Sequence, residues 1–283
     1  MVAGVLAVKL RRDLWARRRA VISLVLVISL GVAAFVAMTG AWFDLDSAKS
    51  RFYAQTRLHD IHLLAKRIPR SELARLATHG NLTAVRGSVQ IAARALVSKP
   101  DADLRVTGVA ASMPWPRRPV LNDVHLVTGG WFSGPREHEV LLNHAFAVAH
   151  GLLPGATLAI SYDRRERQLT VVGTVRSPEY VYVLPPDGGL APDPSRFAVM
   201  YLPEQVLAPL AGLDGAVNRV VAKVRDRALS DWTLRSLEEQ LAPYGVVTAE
   251  RVDEQVSVRL LADEIDGLGV QSRVMPGVFL GAA

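Results

Sequence analysis

Two histidines near the start of the chain are spaced closely enough to be considered as metal ligands. His59 and His62 lie three positions apart. In the β-strand that the surrounding residues predict, side chains alternate between the two faces of a sheet, so the two rings would point to opposite faces. No His-Glu-x-x-His motif follows them. The pair therefore does not predict a metal site.

Three further histidines recur every six positions, at His138, His144 and His150. Glu137 and Glu139 are the only carboxylates beside them. Carboxylates or additional histidines at ligand spacing would be needed to complete a metal site. We therefore interpret the three rings as surface groups.

The other motifs that carry chemistry are missing from the sequence. There is no cysteine, which excludes a disulfide, a thiolate nucleophile and a cysteine-bound zinc. Neither the Gly-x-x-x-x-Gly-Lys-Ser/Thr phosphate loop nor the Gly-x-Ser-x-Gly turn of hydrolases occurs. The sequence predicts no catalytic residue, no cofactor-binding residue and no metal ligand, and therefore a protein that is not an enzyme.

The strongest structural signal is an apolar stretch over residues 20–41, which contains no charge and no proline. A hydrocarbon core about 30 Å thick needs about 20 apolar residues in a helix to cross it. Small residues (Gly31, Ala33, Ala34, Ala37 and Gly40) occupy part of this stretch, and they predict a neighbouring helix because small side chains permit close approach. The stretch predicts a retained membrane-spanning helix.

Charge at the N-terminus predicts the orientation of this helix. Residues 1–19 carry six basic residues and one acidic residue, and such an excess marks a cytoplasmic flank. Most of the net charge of +6 therefore lies in this flank, where it indicates the orientation of the helix in the membrane and not a nucleic-acid-binding surface. The expected localisation is the bacterial cytoplasmic membrane, with the N-terminus inside, the main domain outside and no nucleic-acid partner.

The pattern along the chain predicts a mixed α+β fold. Its segments are expected to be residues 1–19, a cytoplasmic amphipathic helix; 20–42, the first transmembrane helix; 43–56, a stalk helix; 57–252, an extracytoplasmic core domain of two subdomains; 253–273, a long amphipathic stalk helix; and 274–283, the start of a second, truncated transmembrane helix. The first stalk segment is expected to continue the helix of the first span out of the bilayer.

Within the core domain, alternating and β-branched runs predict strands and 3.6-residue patterns predict helices. Strands are expected at 61–64, 84–89, 92–97, 104–109, 140–142, 157–162, 168–175, 197–202, 217–224 and 246–248, and helices at 70–79, 144–150, 203–210, 230–241 and 254–273. Residues 163–166 are expected to form the charged tip of a hairpin and residues 113–119 a stiff loop. Tyr180 and Tyr182 are expected to pack beneath the Pro-rich segment 177–195.

These features resemble the FtsX-like ABC-transporter permeases that carry a MacB-like periplasmic core domain. The similar motifs are Asp123-Val124-His125-Leu126 with Gly129-Gly130-Trp131-Phe132, then Glu139-Val140-Leu141-Leu142-Asn143, and Ser177-Pro178-Glu179-Tyr180-Val181-Tyr182. Family members normally have at least four spans, so the resemblance implies that this chain is the N-terminal piece of a longer membrane protein.

The resemblance implies a permease subunit of an ABC transporter. Its implied partners are a cytoplasmic ABC ATPase, a second permease copy or homologue, the lipid bilayer and an extracytoplasmic partner or cargo. An alternative from a different class stays open, namely a single-span membrane-anchored sensor or assembly protein with an extracytoplasmic binding domain. The two hypotheses differ in whether the residues after 274 re-enter the membrane.

Overall fold

The computed structural model describes residues 9, 11–98, 103–182 and 193–281. The chain divides into two compact units, one formed by Met1–Arg51 with Ala262–Ala283 and the other by Phe52–Leu261. Its helices are α1 Arg18–Thr56, α2 Arg70–Leu76, α3 His144–His150, α4 Glu204–Leu210, α5 Ser230–Leu241 and α6 Val256–Gly281. Its strands are β1 Ile61–Pro69, β2 Leu82–Ser88, β3 Gln90–Val97, β4 Leu104–Met113, β5 His125–Gly129, β6 Glu139–Asn143, β7 Thr157–Tyr162, β8 Arg165–Arg176, β9 Ala198–Pro203, β10 Ala216–Val224 and β11 Val246–Arg251.

Helix α1 contains the apolar stretch. Among the described residues it is the one helix long and apolar enough to cross a bilayer, by length and composition. Its apolar side chains, such as Leu26 and Val36, are exposed rather than packed in a core. The expected span at 20–42 and stalk at 43–56 form one continuous helix, and where the membrane boundary falls along it stays a prediction.

Two further expectations concern the ends of the chain. Residues 11–16 are helical, as predicted, whereas residues 1–8 and 10 of the expected amphipathic helix lie outside the described residues. Helix α6 continues from Val256 to Gly281 without a break near residue 273, so the expected second stalk and the start of a second span share one helix.

Helices α1 and α6 approach closely where Trp42 faces Gly269. A Cβ atom at Gly269 would lie 2.9 Å from the indole nitrogen of Trp42 and 3.2–3.3 Å from two ring carbons. Gly269 and Ser272 are buried, and the Ser272 hydroxyl donates to the Gly269 carbonyl at 2.8 Å. Of the small residues in α1, Gly31 is buried and Ala34 half-buried. The others are exposed, so only part of the predicted small face is covered.

Replacing Gly269 with leucine is expected to destabilise the unit that contains α1 and α6 by about 1–3 kcal/mol, because the new side chain overlaps a bulky indole. Thermal unfolding of the detergent-solubilised chain would measure the loss. Gly267→Leu is the matched control, since a Cβ at Gly267 meets no atom within 4 Å. Equal unfolding midpoints for the two variants would show that the indole contact contributes nothing.

The larger unit contains a four-stranded antiparallel sheet with the order β11-β1-β10-β2. One face carries Ile61, Leu63, Val220 and Ala222, which form a core with apolar side chains of α2 and α5, among them Leu76, Leu237 and Leu241. Because side chains alternate along a strand, His62 and Arg219 belong to the opposite face. That face is also buried, and its polar residues form the site described below.

The other seven strands form a sheet with the order β5-β8-β6-β9-β4-β3-β7. An additional pairing between β7 and β8 closes six of these strands into a ring, and β5 extends the second half of β8. A large apolar cluster contains side chains of β3, β4, β6, β7, β8 and β9 together with residues of α3 and α4, such as Phe146 and Leu207. The opposite face of β4, β6, β8 and β9 packs against Val124, Trp131 and Phe132.

Most predicted elements are present, and the mixed α+β class is confirmed. Several predictions were wrong in detail. Strand 61–64 extends to Pro69, and strand 246–248 extends to Arg251. Helix 70–79 ends at Leu76. Strand 104–109 extends to Met113, because it gains a parallel partner in β9. The short strand β5 was missed; its residues are half-buried or exposed and lack a clear apolar alternation.

The hairpin tip also differs from the prediction. Strand β8 begins at Arg165 rather than at residue 168, and Tyr162 pairs with Arg165, which leaves a turn of two residues. Asp163 and Arg164 both have positive φ angles, 45° and 61°. This is the backbone of a tight hairpin turn, which a residue such as Asp tolerates better than most.

Candidate functional site

The second face of the four-stranded sheet carries buried polar side chains. His62 of β1 pairs with Glu250 of β11 and with Val221 of β10, and Arg219 lies two residues from Val221 on the same face. The face is covered by residues from the seven-stranded sheet and its connections, including Ser112, Asn122 and Glu179. Burying charged groups is unfavourable unless they are paired and hydrogen-bonded, so their partners determine what this face can do.

Arg219 and Glu179 form the central ion pair of this face. Both are buried, and both terminal nitrogens of the guanidinium donate to the two carboxylate oxygens of Glu179. Burial alone would raise the pKa of Glu179, but the Arg219 charge and the hydrogen bonds lower that pKa to about 2. Glu179 follows β8, so this pair fastens the segment after β8 to the other sheet.

Arg86 makes a second connection between the two sheets. Its guanidinium donates to the carbonyl of Ser112 at 2.8 Å and to that of Leu121 at 2.9 Å. Burial, together with the nearby positive charge of Arg219, lowers the pKa of Arg86 to about 10, so the guanidinium stays charged at neutral pH. The arginines of β2 and β10 thus both bond to the seven-stranded sheet or its connections.

His59 follows the end of α1 by three residues and bonds to Asn122 and to Gln255, the residue before α6. Its ring nitrogen Nδ1 lies 3.0 Å from Asn122 Oδ1, and Nε2 lies 3.2 Å from the side-chain nitrogen of Gln255. Because Asn122 Oδ1 already accepts the His59 backbone N–H, Nδ1 carries the proton and Nε2 accepts from Gln255. Burial lowers the pKa of His59 to about 4, so the ring is neutral at neutral pH.

His62 is oriented by a carboxylate. Its Nδ1 lies 3.1 Å from Glu250 Oε1, which can only accept, so this nitrogen carries the proton in the neutral ring. Burial lowers the pKa of His62. The hydrogen bond that the Glu250 carboxylate accepts from the His62 ring lowers the pKa of Glu250. The buried Nε2 atom has no hydrogen-bond partner in the described part of the chain.

The predicted opposition of His59 and His62 was wrong. The two ring centroids are 6.0 Å apart, and both rings belong to this polar cluster. The reason is that His59 precedes β1, which begins at Ile61, so the alternation of a strand does not apply to it. Within the described ranges, no group of three or more His, Cys, Asp or Glu side chains is arranged to hold a metal ion.

The other three histidines lie elsewhere and do not converge. His138 is exposed, whereas His144 and His150 are half-buried and reach Thr174 and the Ser195 carbonyl, respectively. Tyr180 packs against the apolar cluster that contains Phe197. Residues 183–192 of the Pro-rich segment lie outside the described residues, so the expected packing of Tyr180 and Tyr182 beneath that segment stays a prediction.

The sequence interpretation missed the polar cluster itself. The motif around Glu179 and the strand around Arg219 were both recognised, but nothing local indicates that the two side chains pair. A weak signal was available, since a charged residue inside a strand otherwise rich in valine suggests a partner. The pairing still required knowledge of which strands are neighbours.

Comparisons with known proteins give structural neighbours only. No family model matches the chain, and no curated protein sequence matches it. The periplasmic region of MacB from Actinobacillus actinomycetemcomitans is similar, with a TM-score of 0.44 and 10% identity over 71% of this chain and 92% of that chain. The extracellular domain of the noncanonic ABC-type transporter YknZ from Gram-positive bacteria is similar, with a TM-score of 0.41 and 12% identity over 67% of this chain and 99% of that chain.

Proposed function

We propose that this chain is a membrane permease subunit of an ABC transporter. In this role it couples ATP hydrolysis by a cytoplasmic ATPase partner to the handling of lipoprotein, lipid, peptide or drug cargo outside the membrane. The apolar part of α1 crosses the bacterial cytoplasmic membrane, with the basic N-terminal residues inside, and a second permease copy or homologue completes the assembly.

The observation that carries this proposal is that the chain enters and leaves the sheet-rich unit at one place. Ile61 at the start of β1 pairs with Arg251 at the end of β11. The backbone N–H of Val252 donates to the Asp60 carbonyl at 3.0 Å. His59 and Gln255 are bonded directly beside them. A displacement of α1 or α6 is therefore delivered to adjacent strands of one sheet.

The residues that connect α1 to β1 are also bonded to β10 by an ion pair and hydrogen bonds. The Asp60 carboxylate accepts from the Lys223 ammonium at 2.9 Å and from the Val224 backbone at 3.0 Å, and it is buried. Lys223 additionally donates to the Leu58 carbonyl at 2.8 Å. These bonds fix the residues after α1 to β10, a central strand, so that the helix end and the sheet move together.

The proposal is tested by purifying the tagged full chain from its native membranes in mild detergent and measuring hydrolysis of Mg-ATP. We expect vanadate-sensitive ATPase activity to co-purify, because the chain itself has no phosphate-binding loop. Trp15→Ala should lower the recovered activity if the basic segment touches the ATPase, since this indole is 69% exposed. Val36→Ala, within the span, is the matched control.

The alternative, a single-span anchored sensor or assembly protein, predicts a different result. No ATPase activity would co-purify, and a reporter fused after residue 283 would lie outside the membrane. That pair of outcomes would contradict the permease proposal. ATPase activity together with a reporter on the cytoplasmic side, in a chain extended through its second span, would exclude the alternative.

A further inference from the structure

Strand β5 is the end strand of the seven-stranded sheet. It pairs with β8 on one side, and among the described residues its backbone is hydrogen-bonded to β8 alone. The other edge of β5 therefore presents backbone N–H and C=O groups that have no partner in the described part of the chain. An edge of this kind can pair with another extended chain.

The two edges of the four-stranded sheet differ from β5 because they carry charged residues, which commonly protect a strand edge. Edge strand β2 contains Arg86, which points inward, and edge strand β11 contains Glu250 and Arg251. Strand β5 contains no Asp, Glu, Lys, Arg or Pro. Val127 is an extra residue relative to β8 and forms a bulge, so the regular edge is short and suits a segment of a few residues.

The surface beside β5 is also uncharged. Residues 124–135 and 140–162, which include β5, α3 and the loop after α3, contain no Asp, Glu, Lys or Arg. On β8, Arg176 is opposite His125, at the far end of β5 from Gly129. A charged segment buried beside Gly129 would lose its hydration without gaining a counter-charge, so this surface favours a neutral partner.

Helix α3 lies beside β5. The Thr174 hydroxyl oxygen is 2.8 Å from the Thr128 hydroxyl oxygen and 2.9 Å from His144 Nδ1, so the first turn of α3 is close to the β5–β8 pair. Val148 is one helical turn after His144 and lies on the same side of α3. Its side chain is 60% exposed, so an apolar group is available next to the free edge.

The loop after α3 also reaches β5. A Cβ atom at Gly129 would lie 2.9 Å from Pro154 Cγ, so the end of β5 and this loop are in contact. Leu153, the residue before that proline, is 58% exposed. The helix and the loop thus supply two exposed apolar side chains beside an unpaired strand edge.

We propose that β5 and α3 bind an extended, uncharged segment of another polypeptide by strand addition. The backbone of the segment pairs with the free edge of β5, and an apolar side chain of the segment packs against Val148 or Leu153. In this mode of recognition, backbone hydrogen bonds provide affinity and alternate side chains provide specificity. The binding goes beyond the proposed transport function and does not depend on an ATPase partner.

The test uses the full chain in detergent and the neutral peptide N-acetyl-Thr-Val-Thr-Val-Thr-amide as the probe. We expect the peptide to slow hydrogen exchange at residues 125–130 in a saturable way, with no change at β11. Strand pairing requires backbone donors, so the same peptide with every residue N-methylated should not slow the exchange.

A charge placed on α3 tests the contribution of that helix. Val148→Lys should weaken the apparent Kd about tenfold, because the bound segment would partly desolvate the new charge. Val247→Lys is the matched control, since Val247 is 64% exposed on β11, and it should leave the Kd unchanged. An equal Kd for the two variants would contradict the placement of the segment against α3.

Three results would overturn the proposal. The first is the absence of saturable protection at residues 125–130. The second is equal protection by the N-methylated peptide, because side chains alone would then hold it. The third is protection that appears without peptide as the concentration of the chain rises, which would show that a second copy occupies the edge. All three are measured on the unmodified chain, so the test stays decisive even if Val148→Lys fails to fold.

Discussion

Replacing Glu179 with alanine should destabilise the sheet-rich unit by about 3–5 kcal/mol. The substitution leaves the Arg219 guanidinium buried at 4% exposure without its carboxylate. An uncompensated buried charge has a cost of this size, whereas the intact pair contributes little net stability relative to an apolar replacement. Urea unfolding of the full chain in detergent, followed by hydrogen exchange in β10, would measure the difference.

Two variants show whether the unpaired charge is the cause. Asp231→Ala removes one partner of an exposed ion pair with Arg251 and should change stability by less than about 1 kcal/mol. The double variant Glu179→Ala with Arg219→Met should recover part of the loss, because no charge then remains buried. A Glu179→Ala chain as stable as the Asp231→Ala chain would refute this account of the site.

Acidification is expected to lower the free energy of unfolding of the sheet-rich unit, first between pH 6.5 and pH 4. The pKa of His59 is lowered from 6.5 to about 4, so the neutral ring is favoured in the folded state. The stabilisation by the neutral ring is fully present above pH 6.5 and is lost as the pH falls towards 4. The difference between the two pKa values of His59 corresponds to about 3 kcal/mol, at about 1.36 kcal/mol for each pKa unit.

The physical cause is the burial of the ring, which disfavours its charged form, and the nearby positive charge of Arg219 acts in the same direction. The lowered pKa of His62 acts in the same direction. Below pH 4.5 the lowered pKa of Glu179 adds a further loss, because protonation removes the charge that pairs with Arg219. Hydrogen exchange at β1 and β11 should therefore accelerate as the pH falls, after correction for the intrinsic rate.

His59→Gln separates titration from packing. The glutamine retains a polar group but does not titrate, so the loss of stability between pH 6.5 and pH 4 should become shallower. His138→Gln, at an exposed position, should keep the slope of the unmodified chain. A slope that is the same in both variants would rule out His59 as the origin of the acid sensitivity.

The sequence predicts features set by neighbouring residues better than features that depend on contacts between distant residues. The capped helix after Asn143 was predicted correctly, and its end at Gly151 has the left-handed φ of 70° that a glycine stop requires. The hairpin was predicted, but its tip was placed two residues too wide, because the tolerance of Asp163 and Arg164 for positive φ depends on the strands that flank them.

The sequence by itself determined the mixed α+β class, the apolar helix with its basic flank and most of the strands. These features depend on composition and on periodicity within about 20 neighbouring residues, which a chain displays without being folded. The polar cluster was decided by tertiary structure alone. Its bonds join residues that are 40, 63 and 196 positions apart: Arg219 with Glu179, His59 with Asn122, and His59 with Gln255. Whether such side chains are solvated or buried together depends on which strands become neighbours, and no local pattern encodes that.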